Sequence, residues 1–134
     1  MAEPKTRKTT ASVKDFIAAV PDEQRRKDAT AVAKLMAEIT GEKAAMWGPS
    51  IVGFGSYQGP TGEWPVAAFS PRKAALVLYL TPAMAGLDDL LDRLGSHSMG
   101  KGCLYLKRLS EVDGKVLRQL IAKSTAEVKK RYKG

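Results

Sequence analysis

The chain has one cysteine, one histidine and three phenylalanines, and no apolar run long enough to cross a membrane. Each scarcity removes a class of protein. Cys103 alone forms no internal disulfide, and one cysteine with one histidine cannot supply the thiolate and imidazole set of a structural zinc. No structural metal and no cofactor are expected. The longest uninterrupted apolar stretch, Ala74 to Leu80, falls far short of the ~20 residues of a membrane helix, so no membrane partner is expected. The start, MAEPKTRKTT, is polar and basic and lacks the apolar segment of a secretory leader. A cytoplasmic location follows as the expectation.

Charge of one sign is in excess instead: the formal net charge is +8 and the isoelectric point about 9.7. Its placement matters more than its size. Residues 1–11 carry +2, residues 123–134 carry +4, and the body between them only +2. The segments read as a flexible basic tail (1–11), one folded domain (12–122) and a basic helix end and tail (123–134). No DNA- or RNA-reading motif is present, so sequence-specific nucleic-acid binding is not expected.

What is present is a pattern of helices around strands. Ser12 with Asp15 resembles a helix-capping pair, and Val13, Phe16, Ile17 and Val20 recur at helical spacing up to Pro21. Asp22 and Glu23 then open a longer helix with the stripe Ala29, Val32, Leu35, Met36 and Ile39, which stops at Gly41. From Ile51 to Tyr57 the period falls to two, in a strand interrupted by Gly53 and Gly55. The turn formers of Gln58–Gly62 predict an antiparallel return through Trp64 to Ser70, and Ala74 to Leu80 reads as a buried third strand. A helix from Pro82 to Leu94, a flexible glycine loop, a short strand Cys103 to Leu106 and a final helix capped by Ser110 or Asp113 complete the chain. This order predicts an α+β two-layer sandwich, an antiparallel sheet of about four or five strands covered by helices.

Several blocks resemble one family: Met46 to Gly55 (MWGPSIVGFG), Phe69 to Lys73 (FSPRK), Leu94-Gly95, and Gly100 to Tyr105 (GKGCLY). Over about Val13 to Ile121 the chain is similar to the YdhG-like domain of unknown function 1801. It departs from that family's pattern in a shorter, less aromatic hairpin between Tyr57 and Trp64, and in Ala68 where glycine usually precedes the Phe-Ser-Pro block. The resemblance implies a small bacterial cytosolic α+β domain with no established activity. Some relatives are described as resembling frataxin-type iron chaperones, which implies iron binding as one alternative. Hard iron prefers clustered carboxylates, and here Asp88, Asp89 and Asp92 are the best cluster, although a solvated helix face explains them more simply.

Catalysis has little to stand on. A nucleophile needs a base beside it, and only His97 and Cys103 could begin such a set; an enzyme of unknown reaction is kept as a further alternative. Gly95 to Gly102 spells G-x-x-x-x-G-K-G, close to a phosphate-cradling loop, but it leaves a helix and enters a strand, and Gly102 stands where Ser or Thr would bind magnesium. Nucleotide hydrolysis is not expected. Glycine amides can still form an anion-binding nest, so the expected ligand site is Gly100, Lys101 and Gly102 with His97, Arg72 and Lys73 as donors; the competing reading is a plain flexible connector. Trp47, Tyr57 and Trp64, beside turn residues, are candidate pocket aromatics with edges open to water or a ligand. The function expected is a non-catalytic binding module for a small anionic metabolite or a protein partner, with a homodimer as one form of the latter.

Overall fold

Short polar side chains set the helix starts. Ser12 Oγ accepts from the Asp15 amide and opens α1 (Val13–Ala18), and Asp22 Oδ2 accepts from the Arg25 amide at 2.7 Å and opens α2 (Glu23–Thr40). Gly41, in the left-handed region at φ 71°, closes α2 by donating its amide to the Ala37 carbonyl. The computed structural model describes residues 8–9, 11–48, 50–59, 62–79, 88–100 and 103–131. Within them α3 is Asp88–Leu94, and the earlier part of the helix expected from Pro82 lies outside the described residues. Asp113 Oδ1 accepts from the Lys115 and Val116 amides and starts α4 (Gly114–Arg131), while Ser110 lies in a 3-10 turn, Leu109–Glu111. No described helix is long and apolar enough to cross a membrane.

In chain order the strands are β1 (Lys8–Thr9), β2 (Ala44–Trp47), β3 (Ile51–Phe54), β4 (Tyr57–Gly59), β5 (Gly62–Trp64), β6 (Ala67–Pro71), β7 (Leu76–Tyr79), β8 (Ser98–Gly100) and β9 (Cys103–Leu106). Seven of them form one antiparallel sheet ordered β1-β2-β3-β6-β7-β9-β8, and β4 pairs with β5 separately. The fold is α+β, with helices packed on the sheet as expected. The sheet is wider than expected because β1, β2 and β8 add to it. Lys8 and Thr9, placed in a flexible tail, pair with Trp47 and Met46. Ser98 to Gly100, placed in a flexible loop, pair with Tyr105, Leu104 and Cys103. At the other end of the chain α4 runs unbroken past residue 122, and its Ser124, Thr125 and Val128 are buried.

The expected long hairpin is present but breaks in the middle. Phe54 pairs with Ala67 and Val52 with Phe69, whereas Tyr57 pairs with Trp64 in the separate two-stranded sheet. Gly55, at φ 67°, turns the first arm away, and Pro65, which has no amide to donate to a ladder, interrupts the second. The outer half of the hairpin therefore folds back over the main sheet.

The main sheet thus has two different faces. On the inner face Val52, Phe54, Phe69, Leu76, Leu78, Leu104 and Leu106 meet α2 through Val32 and Met36, and α4 through Leu117, Leu120 and Ile121. These side chains are fully or almost fully buried, each contributing about 1.5–3 kcal/mol by removal from water. On the outer face a smaller cluster of Trp47, Ile51 and Ala68 is covered by Trp64 and Tyr79.

Candidate functional site

Strand register decides which of the expected site residues can meet. Gly100 pairs with Cys103 and Cys103 with Tyr79 at one end of the strands; Leu76 pairs with Pro71 and Leu106 at the other. Three residue steps, about 10 Å, separate those ends. Arg72 and Lys73, just after β6, therefore share an end with His97, just before β8, and Gly100 stands apart from them. This corrects the expected convergence: a strand, not a glycine nest, carries Gly100. Lys101 and Gly102 lie outside the described residues.

Around Arg72 and Lys73 the chain builds a different site. A cleft of about 800 Å³ is lined by Arg25, Arg72, Lys73, Lys107 and Arg108, with Asp22 the one carboxylate among the described residues of its wall. Four hydrogen bonds hold its parts in place. Arg25 Nη1 donates to the Arg72 carbonyl at 3.1 Å, tying the first turn of α2 to the β6–β7 connection. Arg26 Nη1 donates to the Val20 carbonyl at 2.8 Å, fixing the link between α1 and α2. Asp28, buried in α2, accepts from the Leu109 amide at 3.1 Å and from Gln24, and so anchors the segment just after Lys107 and Arg108. The helix start itself adds partial positive charge.

Among the described residues Lys73, Lys107 and Arg108 have no ion-pair partner; the ion pairs found are Glu23–Lys27, Asp89–Arg93 and Glu38–Arg118, all on exposed surfaces. Sequence reading found two of the five cations. Arg25, Lys107 and Arg108 carry no local pattern that marks them, since only the sheet brings β9's end beside α2. Asp28 could have been noticed as an acid on the apolar side of a helix.

Arg72 also reaches the outer face, where its Nη2 donates to Tyr79 Oη at 2.9 Å. Burial raises the Tyr79 phenol above its ordinary 10.0, and the nearby Arg72 charge only partly offsets this. A second cleft of about 450 Å³ adjoins the first, sharing Ala74 and Lys107 with it and adding His97, Ser98, Tyr105 and Glu111. His97 Nδ1 lies 2.8 Å from the Gly95 carbonyl, which can only accept, so Nδ1 carries the proton there.

The other candidates fall elsewhere. Trp47, expected at an open edge, is 1% exposed: its indole lies on Gly53, where a Cβ would come within 2.5 Å of the ring, and Pro65 of the folded-back hairpin closes over it. Trp64 and Tyr57 are half-buried, and Trp64 sits between Trp47 and Tyr79 with ring centroids 6.4 and 6.2 Å apart. These rings form a packed cluster rather than an open pocket. Cys103 and His97 stand at opposite ends of the β8–β9 hairpin, so they make no nucleophile and base pair. Asp89 and Asp92 are exposed, Asp89 facing Arg93 at 3.5 Å, and no group of three or more metal-ligating side chains gathers among the described residues; the side chain of Asp88 lies outside them.

No family model, curated protein or solved structure matches the chain. The likeness to the YdhG-like family rests on the residues quoted for it.

Proposed function

We propose that this chain is a non-catalytic binding domain of the YdhG-like kind that holds a small anionic ligand in the basic cleft between the start of α2 and the β6–β7 turn. The observation that carries this reading is the ratio of charges on the cleft wall, five cations to one carboxylate, in a chain whose other described ion pairs lie on open surface. Unpaired like charges held together repel one another, and an anion placed among them removes that cost. Arginine offers paired donors suited to phosphate or carboxylate oxygens, and lysine adds mobile point charges. Among the described residues no nucleophile and base pair lines the cleft, and its cations favour binding over chemistry.

A thermal-shift panel of phosphorylated and polycarboxylate metabolites tests the reading. At ~100 times its dissociation constant a ligand adds about 2.7 kcal/mol to stability, which raises Tm by roughly 10 °C for a domain of this size. The gain should shrink in Lys73→Ala with Lys107→Ala. A panel that leaves wild type unmoved, or moves wild type and the double variant equally, would remove the cleft as a binding site.

A further inference from the structure

The cleft does not end where a small metabolite would. Its wall continues through Ala74 and Lys107 into the second cleft, so a continuous surface runs from the basic region at the start of α2, past the β6–β7 turn, to β9 and β8. From β6 to β8 this surface crosses three strand spacings, about 14 Å, and the α2 side extends it further. The chemistry changes along that length. The helix end offers Arg25, Arg72, Lys73 and Arg108 with one carboxylate, Asp22; the outer end offers Tyr105 and His97 with the carboxylate of Glu111, and Lys107 lies between. Tyr105 points to the outer face, because it alternates with the inner-facing Leu104 and Leu106.

We infer that this track binds a single-stranded nucleic-acid backbone without sequence preference: successive phosphates lie along the cations and a base rests on the Tyr105 ring. The inference rests on the anion-binding reading of the cleft and names its ligand class. A basic groove that follows the backbone, joined to an aromatic ring on a sheet face, is the physical requirement for single-strand binding, since every base has a flat face to stack. A run of cations beyond the reach of one phosphate group favours a ligand with spaced phosphates, and the net charge of +8 favours its approach. The lack of a base-reading motif fits a contact made to backbone and ring faces alone.

The test is fluorescence anisotropy of a labelled oligouridylate of about ten nucleotides, with a blunt duplex and inorganic tripolyphosphate as the other probes. Binding of the single strand should weaken with salt at a slope between about −2 and −3.5, the value for three to five phosphates at about 0.7 each. Lys73→Ala with Lys107→Ala should weaken it about ten-fold or more and make the slope shallower by about 1 to 1.5. Lys34→Ala with Lys123→Ala, which removes the same charge from exposed positions elsewhere, should change it little. Tyr105→Leu, which keeps apolar bulk, should weaken it about five-fold with the slope unchanged. The inference is overturned by equal losses in the two lysine pairs, by a Tyr105→Leu variant that binds as wild type does, or by a duplex that binds as tightly as the single strand. Tripolyphosphate binding that depends on Lys73 and Lys107, without oligonucleotide binding, overturns the strand reading and leaves the small-anion reading standing; binding of neither overturns both.

Discussion

The inner face of the sheet is closed by helices and the outer face by its own hairpin, and the two closures leave different things behind. Helices α2 and α4 bury an all-apolar strand surface from Val52 to Leu106, and among the described residues of α4 the buried Thr125 Oγ1 has no hydrogen-bond partner. The hairpin covers only the part of the outer face around Trp47, Gly53 and Ala68, and it traps an indole Nε1 that has no hydrogen-bond partner among the described residues. Tyr79, against the hairpin's Trp64, is half-exposed, and so are Cys103 and Tyr105, the latter on the wall of the second cleft. Stability is thus concentrated on the inner face, and the open groups that a ligand could meet lie at the strand end beside α2 and on the outer face.

Mutations should separate the faces by size of effect. Phe69→Ala on the inner face removes a fully buried ring and should cost about 3–5 kcal/mol, read as a lower denaturation midpoint with an unchanged slope. Gly53→Ala on the outer face should cost less, about 1–3 kcal/mol from overpacking, because the added methyl would press on the Trp47 ring and on Pro65. A Gly53→Ala protein as stable as wild type would mean that the hairpin does not hold the indole against the strand. Trp47→Phe should change stability by no more than about 1 kcal/mol, since lost contact area is offset by removing a buried N–H that lacks a partner. The smallest change belongs to Tyr79→Phe, about 0.5 kcal/mol near neutral pH for the partly exposed bond to Arg72.

The Tyr79 effect changes with pH. Its folded-state phenol titrates above 10.0, mainly because burial disfavours the phenolate. That contribution is complete below the unfolded value and is lost as pH rises through the folded one. Wild type should therefore lose more stability than Tyr79→Phe as pH is raised beyond 10.0, as denaturant melts at stepped alkaline pH would record.

The same contrast explains what could be read from the chain. The caps at Ser12, Asp22 and Asp113, the stop at Gly41 and the inner-face residues are legible because each is a local signal or a short period. Strand β2 is not, since Ala44 to Trp47 has neither alternation nor β-branched residues, and β8 hides in glycine and serine that resemble a loop. The buried Trp47 follows from a hairpin that doubles back at Gly55 and Pro65, a three-dimensional event with only a bend signal in sequence. The cleft was half visible. Arg72 and Lys73 stood out in a tight turn, but Arg25, Lys107 and Arg108 join them through the sheet order and the Asp28 anchor, over separations that no local pattern spans.

The two ends of the sheet offer the most direct measurement. Titration calorimetry with pyrophosphate on wild type, Lys73→Ala with Lys107→Ala, and Lys101→Ala compares the cleft with the lysine that follows Gly100 in the sequence. Wild type and Lys101→Ala should bind with the same affinity, and the double variant at least about ten-fold more weakly, a difference of about 1.4 kcal/mol. Affinity lost in Lys101→Ala and kept in the double variant would place the ligand at Lys101 and contradict the account.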